Sequence, residues 1–122
     1  MAAFENRILD INFTAGEDLS GKQYHAVALA GDTLVLAKEN QGQFILQNAP
    51  QAGQQAVIRL YGVTFAKSAA PIAVGALVAN DKNGEFITAI PGMAAIALAV
   101  SASSVAGEIF SVIPFGVPPI TL

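Results

Sequence analysis

A turn followed by a strand is written twice in this chain, and that echo constrains the fold more than any other feature. Residues 52–63 read AGQQAVIRLYGV, and residues 106–117 read AGEIFSVIPFGV. Laid over one another, Ala-Gly falls on Ala-Gly, Gln54 on Glu108, Ile58 on Val112 and Tyr61 on Phe115. Gly62-Val63 then falls on Gly116-Val117. Self-similarity of this kind implies one supersecondary element used twice. The element is β, because each copy is a Gly-punctuated turn leading into a run of alternating, branched and aromatic residues.

The rest of the chain reads the same way. Residues 24–30 and 33–38 flank Gly31-Asp32 as a hairpin, and residues 44–47 form a short strand after the turn ENQGQ. Residues 54–65 make the longest strand, and Gly62 within it predicts a bend that lets one strand serve two sheets. Strands follow at residues 74–79 and 85–90, joined by Asn83-Gly84, a strong hairpin turn signal. At residues 94–100, Ile96, Leu98 and Val100 alternate with alanines, a strand with one bulky and one small face. Residues 108–115 complete the set, and Pro118-Pro119 keeps the end extended. No stretch keeps helical spacing between caps, although the Ala/Ser-rich residues 68–76 and 99–106 have room for one helical turn. The expected fold is all-β: a small sandwich or barrel of eight to ten short strands. Its two similar halves are placed at about residues 19–63 and 73–117. An N-terminal arm at residues 1–16 precedes this β-domain (residues 17–117), and a C-terminal tail at residues 118–122 follows it.

Charge narrows the function. Of 122 residues, 53% are hydrophobic and 12% charged, with a net charge of −3; an ordinary soluble domain carries roughly 25% charged residues. A chain this small cannot bury most of its surface, so the low charge points to a surface that meets a partner. The acidic balance and dispersed basic residues argue against nucleic acid. Residues 87–105 are weighed as a membrane span and rejected: Pro91-Gly92 interrupts them, serines cluster near their end, and no Lys or Arg anchors them. No secretory leader pattern opens the sequence.

The search for chemistry returns no catalytic residue. There is no cysteine and one histidine, His25. That excludes disulfides and thiolate chemistry, and falls short of the three or four ligands a zinc site needs. His25 lies in an expected strand with no nucleophile motif around it. Glu17-Asp18 sits in a polar loop where solvated ions are the default. The stretch NDKNG lacks the twelve-residue calcium ladder, and the glycines match no phosphate loop. No cofactor and no metal is expected.

Several pieces, in order, resemble the small capsid decoration, or cement, proteins of tailed bacteriophages. They are DLSGKQY at residues 18–24, Leu46-Gln47-Asn48 with Pro50 and Gly53, Gly62-Val63, and Gly75 to Val78. Asp81 to Gly84, Ala97-Leu98 and Gly107-Glu108 continue the series, which covers most of the chain. Ala95-Ile96 departs from the Gly-Ile of that pattern. The resemblance implies a structural virion protein, made in the host cytoplasm, that performs no reaction and stabilises a capsid from outside. Its partners would be the major capsid protein and copies of itself, as a homotrimer.

The arm supplies candidate contact residues. Phe4, Arg7, Leu9, Ile11 and Phe13 form an apolar, alternating, terminal stripe, read either as an edge strand of the chain's own sheet or as an arm pairing with a neighbour. Arg59 and Tyr61 are candidate interface anchors, residue types favoured at such contacts; the competing reading packs the Arg59 stem on Tyr61. Two other functions stay open. A carbohydrate- or host-surface-binding β-module on a virion would favour exposed aromatics, and the chain has no Trp and two Tyr. A small hydrolase would have to be built on His25.

Overall fold

In the computed structural model, residues 8–115 and 120–121 are described. They hold twelve short strands and no helix, the all-β class expected, with more strands than the eight to ten anticipated. The Ala/Ser-rich segments form no helical turn.

The first unit contains β1 (Leu9–Ala15), β2 (Ala26–Ala30), β3 (Thr33–Leu36), β4 (Phe44–Leu46) and β5 (Gln55–Tyr61), closed into a barrel in the order β1-β3-β2-β4-β5. The second contains β6 (Thr64–Lys67), β7 (Leu77–Asn80), β8 (Phe86–Thr88), β10 (Ala97–Ala99) and β11 (Ile109–Pro114), ordered β6-β11-β10-β7-β8. Two short strands, β9 (Ala94–Ala95) and β12 (Ile120–Thr121), pair with each other. Read round the sheet, β3-β2-β4-β5-β1 and β8-β7-β10-β11-β6 are one topology. In the first unit β1 and β3 close the barrel in parallel through Thr14–Thr33 and Ala15–Leu34. In the second, a single parallel bridge, Ser68–Phe86, joins β6 to β8.

The hydrogen bonds repeat bond for bond. Ala15 N donates to Gln54 O at 2.8 Å, and Ser68 N to Glu108 O at 2.9 Å. Gly16 N reaches Leu34 O at 2.8 Å, and Ala69 N reaches Phe86 O at 2.8 Å. Leu19 N to Pro50 O matches Ile72 N to Ser103 O, and Gln47 N to Val57 O matches Val100 N to Ser111 O. Side chains take part too. The Val57 amide donates to Asn48 Oδ1 at 3.0 Å, and the Ser111 amide to Ser101 Oγ at 2.8 Å. Gln54 Oε1 accepts from the Gln51 amide, and Glu108 Oε1 from the Val105 amide, both at 2.8 Å.

The echo seen in the sequence is therefore one end of a longer duplication, and its boundaries move. The units span residues 9–61 and 64–114, not 19–63 and 73–117. Each begins with the strand that pairs with its own last strand, β1 with β5 and β6 with β11. The arm expected at residues 1–16 is accordingly corrected for residues 9–15, which form the first barrel's opening strand. The tail at 118–122 is corrected for Ile120–Thr121, which pair with Ala94–Ala95. Gly62 stands where the bend was expected. Its φ of 101°, in the left-handed region that favours glycine, ends β5 and lets β6 start in the second unit.

The two interiors correspond position by position. Ala15, Leu19, Val27, Leu34, Leu46, Ala56 and Ile58 fill the first barrel. Ser68, Ile72, Val78, Phe86, Ala99, Phe110 and Val112 occupy the same places in the second, all buried. Size is traded rather than kept: Leu34 becomes Phe86 and Ala56 becomes Phe110, while Leu46 shrinks to Ala99. Close packing demands such compensation. The second core takes in Ala26, Ala37 and Ile45 of the first unit, so it is built by both units, while the first barrel keeps a core of its own. Asn80, fully buried, fastens them together. Its amide nitrogen donates to Lys38 O at 2.9 Å and Asp81 O at 2.8 Å, and its oxygen accepts from the Gly42 amide at 2.8 Å.

Candidate functional site

Strand alternation sends every second side chain outward, and the outward face is where the units part company. On the first unit, Asp10 and Arg59 are cross-strand partners of β1 and β5. Arg59 Nε donates to Asp10 Oδ1 at 2.9 Å, and Nη2 to Asp10 Oδ2 at 3.1 Å. This two-pronged contact holds the guanidinium above its ordinary pKa. Next along the ladder, Asn12 Nδ2 donates to Gln55 Oε1 at 3.2 Å. At the equivalent places of the second unit stand Val63 and Ile113, then Phe65 and Ile109. An ion pair and an amide pair have given way to four apolar side chains, exposed at 45, 41, 50 and 50% respectively. Leu98 of β10 pairs with Ile113 of β11 on the same face.

Between the units lies a cleft of about 360 Å³ lined by Asp10, Tyr24, Gln47, Arg59, Val63, Thr64 and Phe65. Its polar groups serve each other. Arg59 Nη1 donates to Val63 O at 2.8 Å, and Gln47 Nε2 to Thr64 Oγ1 at 2.8 Å. Tyr24 meets Phe65 edge-on, ring centroids 5.6 Å apart. Tyr24 also holds a φ of 67°, where the second unit uses Gly75 at 86°. A bulky residue is uncommon in that region, and from it the Tyr24 ring packs on Phe65.

The expected contact residues are distributed unevenly. Phe4 and Arg7 lie outside the described residues. Ile11 and Phe13 are half-buried against the first core, with Phe13 stacked on Phe44 at 6.1 Å, so they pack inward instead of presenting a free arm. Leu9 and Tyr61 are paired across β1 and β5 and remain exposed, at 45 and 51%. Arg59, proposed as an anchor, is engaged by Asp10 and Val63. The Phe65, Ile109 and Ile113 face was not singled out in the sequence. Its signal was available only by aligning the units and asking which outward positions lose their polarity.

His25 is 4% exposed, with Nδ1 3.1 Å from Gln23 O. Burial pushes it below its ordinary pKa, with Lys22 and Lys67 adding to the effect and the hydrogen bond to Gln23 O and the Glu85 charge opposing it. No group of three or more His, Asp or Glu able to hold a metal occurs among the described residues. No helix among them is long and apolar enough to cross a membrane.

In class, then, this is a small all-β protein built from two tandem, topologically identical five-stranded units. No protein-family model and no curated protein matches the chain. Among solved structures it is similar to the crystal structure of the N base of head fiber gp8.5 of bacteriophage phi29. The TM-score is 0.66 at 14% identity, covering 95% of this chain and 100% of that one. At that identity the likeness is one of fold.

Proposed function

We propose that this chain is a structural protein of a bacteriophage virion that binds the outside of the capsid and stabilises it, without performing a reaction. The observation that carries the reading is the likeness of fold, over 95% of this chain and all of the other, to the base of a phage head fiber. The independent resemblance of residues 18–116 to capsid decoration proteins points the same way, and so does the low charge. The partner on the particle is the major capsid protein.

The energetics follow from linkage. A protein that binds the assembled shell but not free subunits stabilises the shell by ~4 kcal/mol per site when present about a thousandfold above its dissociation constant. A homotrimer fits this role, because shells offer threefold positions and closed symmetry is the usual form of homo-oligomers. Three linked contacts raise the overall avidity by about 10²–10⁴.

The test mixes the purified protein with empty shells of the major capsid protein of the same phage, and with the same capsid protein unassembled. Binding to shells alone, with a raised shell melting temperature, is expected. Failure to co-sediment with shells at micromolar concentration overturns the proposal.

A further inference from the structure

The outward face of β6 and β11 is a surface that the fold does not require. The first unit builds the same ladder with Asp10–Arg59 and Asn12–Gln55 outside, each pair joined to itself. The second unit has lost both polar pairs and shows Val63, Phe65, Ile109 and Ile113 to solvent. Two copies of one architecture thus provide an internal control. The apolar set is a property of this face, not a consequence of making the strands.

We infer that this face is where one copy of the chain meets another. Half-exposed Phe and Ile side chains on adjacent strands form an apolar patch, the kind of surface that gathers at interaction sites. Such a patch suits the centre of an interface of about 800 Å² per partner, with polar neighbours as its rim. The charges at its border are paired within the chain: Lys67 reaches Glu85 at 3.9 Å, and Arg59, against Val63 O, is held by Asp10. It therefore offers no electrostatic handle by which to select a charged foreign surface. The occupant must itself be apolar and uncharged, and a second copy brings that surface by construction. Rotational symmetry gathers the same strip from each subunit around one axis. This inference rests on the homo-oligomeric part of the reading above and not on capsid binding.

The test imports the first unit's own solution. One variant carries Val63→Asp, Phe65→Asn, Ile109→Gln and Ile113→Arg; a second carries Phe65→Asn and Ile109→Gln only. Each is compared with the full chain by sedimentation velocity from 1 to 100 µM, with circular dichroism and thermal melting to verify the fold. A wild-type oligomer is expected, weakened about a hundredfold or more in dissociation constant by the two central replacements, since centrally buried aromatic and branched anchors dominate interfaces. A folded variant that keeps wild-type assembly overturns the assignment of the face and leaves the trimer standing. A wild-type chain that is monomeric throughout overturns both, while shell binding is judged by its own experiment.

Discussion

The first unit and the second are built on one hydrogen-bonding plan, yet they answer to different constraints inside and out. Inside, several positions differ in size, large for small at some and small for large at others, while Val27 and Val78 are the same residue. Outside, at the places of Asp10, Asn12, Gln55 and Arg59, two polar pairs stand against four apolar side chains. Interiors are held by mutual packing, so changes there come in compensating sets. A surface exchanged wholesale is free of that constraint and reports what it faces. The comparison separates residues that make the architecture from residues that use it.

The most forceful way to break this comparison is in the core. Phe110→Ala installs the residue the first unit has at that place and should cost about 3–5 kcal/mol, because nothing nearby has grown to fill the space. Adding Ala99→Leu, the first unit's other choice, should recover part of that loss in urea or thermal unfolding. Strict additivity of the two changes would show that the size trade is coincidental. Next in size is Asn80→Leu, again the first unit's residue, Leu29. It leaves the Gly42 amide and the Lys38 carbonyl without their partner between the units, a loss of roughly 2–4 kcal/mol.

Two smaller effects sharpen the comparison through pH. His25 is held neutral by burial, so its folded-state pKa lies below the unfolded value of about 6.5. As pH falls through that value the unfolded chain takes up a proton that the folded chain resists, and stability declines. His25→Ala, matching Ala76 of the second unit, should flatten the stability profile between pH 7 and 5; an unchanged slope would refute the linkage. The smallest effect is expected at Glu108, whose carboxylate accepts from the Val105 amide and from the amide and hydroxyl of Ser104, and is held below its ordinary pKa by those bonds. Its contribution is present above the unfolded pKa and lost as pH falls through the folded one. Glu108→Gln should keep the turn, since Gln54 caps the other copy, and remove only this acid dependence. Glu108→Ala should lower the melting temperature further than Glu108→Gln does.

Much of the fold was legible because alternation is a local signal. The echo of residues 52–63 in 106–117 located β5 and β11, and Gly62 marked the handover between units. The opening strands were harder to read. Residues 9–13 alternate as an arm or as a strand would, and the choice depends on β5, far away in sequence. β1 and β6 conceal their kinship because Asn12 matches Phe65 and Asp10 matches Val63, so no hydrophobic pattern is shared. The core equivalence of Ala56 and Phe110 is equally opaque to identity. The exposed face was illegible for a related reason: an apolar residue in a strand reads as core until the structure shows which way it points.

One difference in closure has a consequence for how the molecule breathes. The first barrel is sealed by two successive parallel pairs and the second by the single bridge between Ser68 and Phe86. Local opening follows the weakest seam. Deuterium should therefore enter the amides along β6 and β8 sooner than those along β1 and β3, and the earliest excursions from the native state begin in the second unit while the first is still intact.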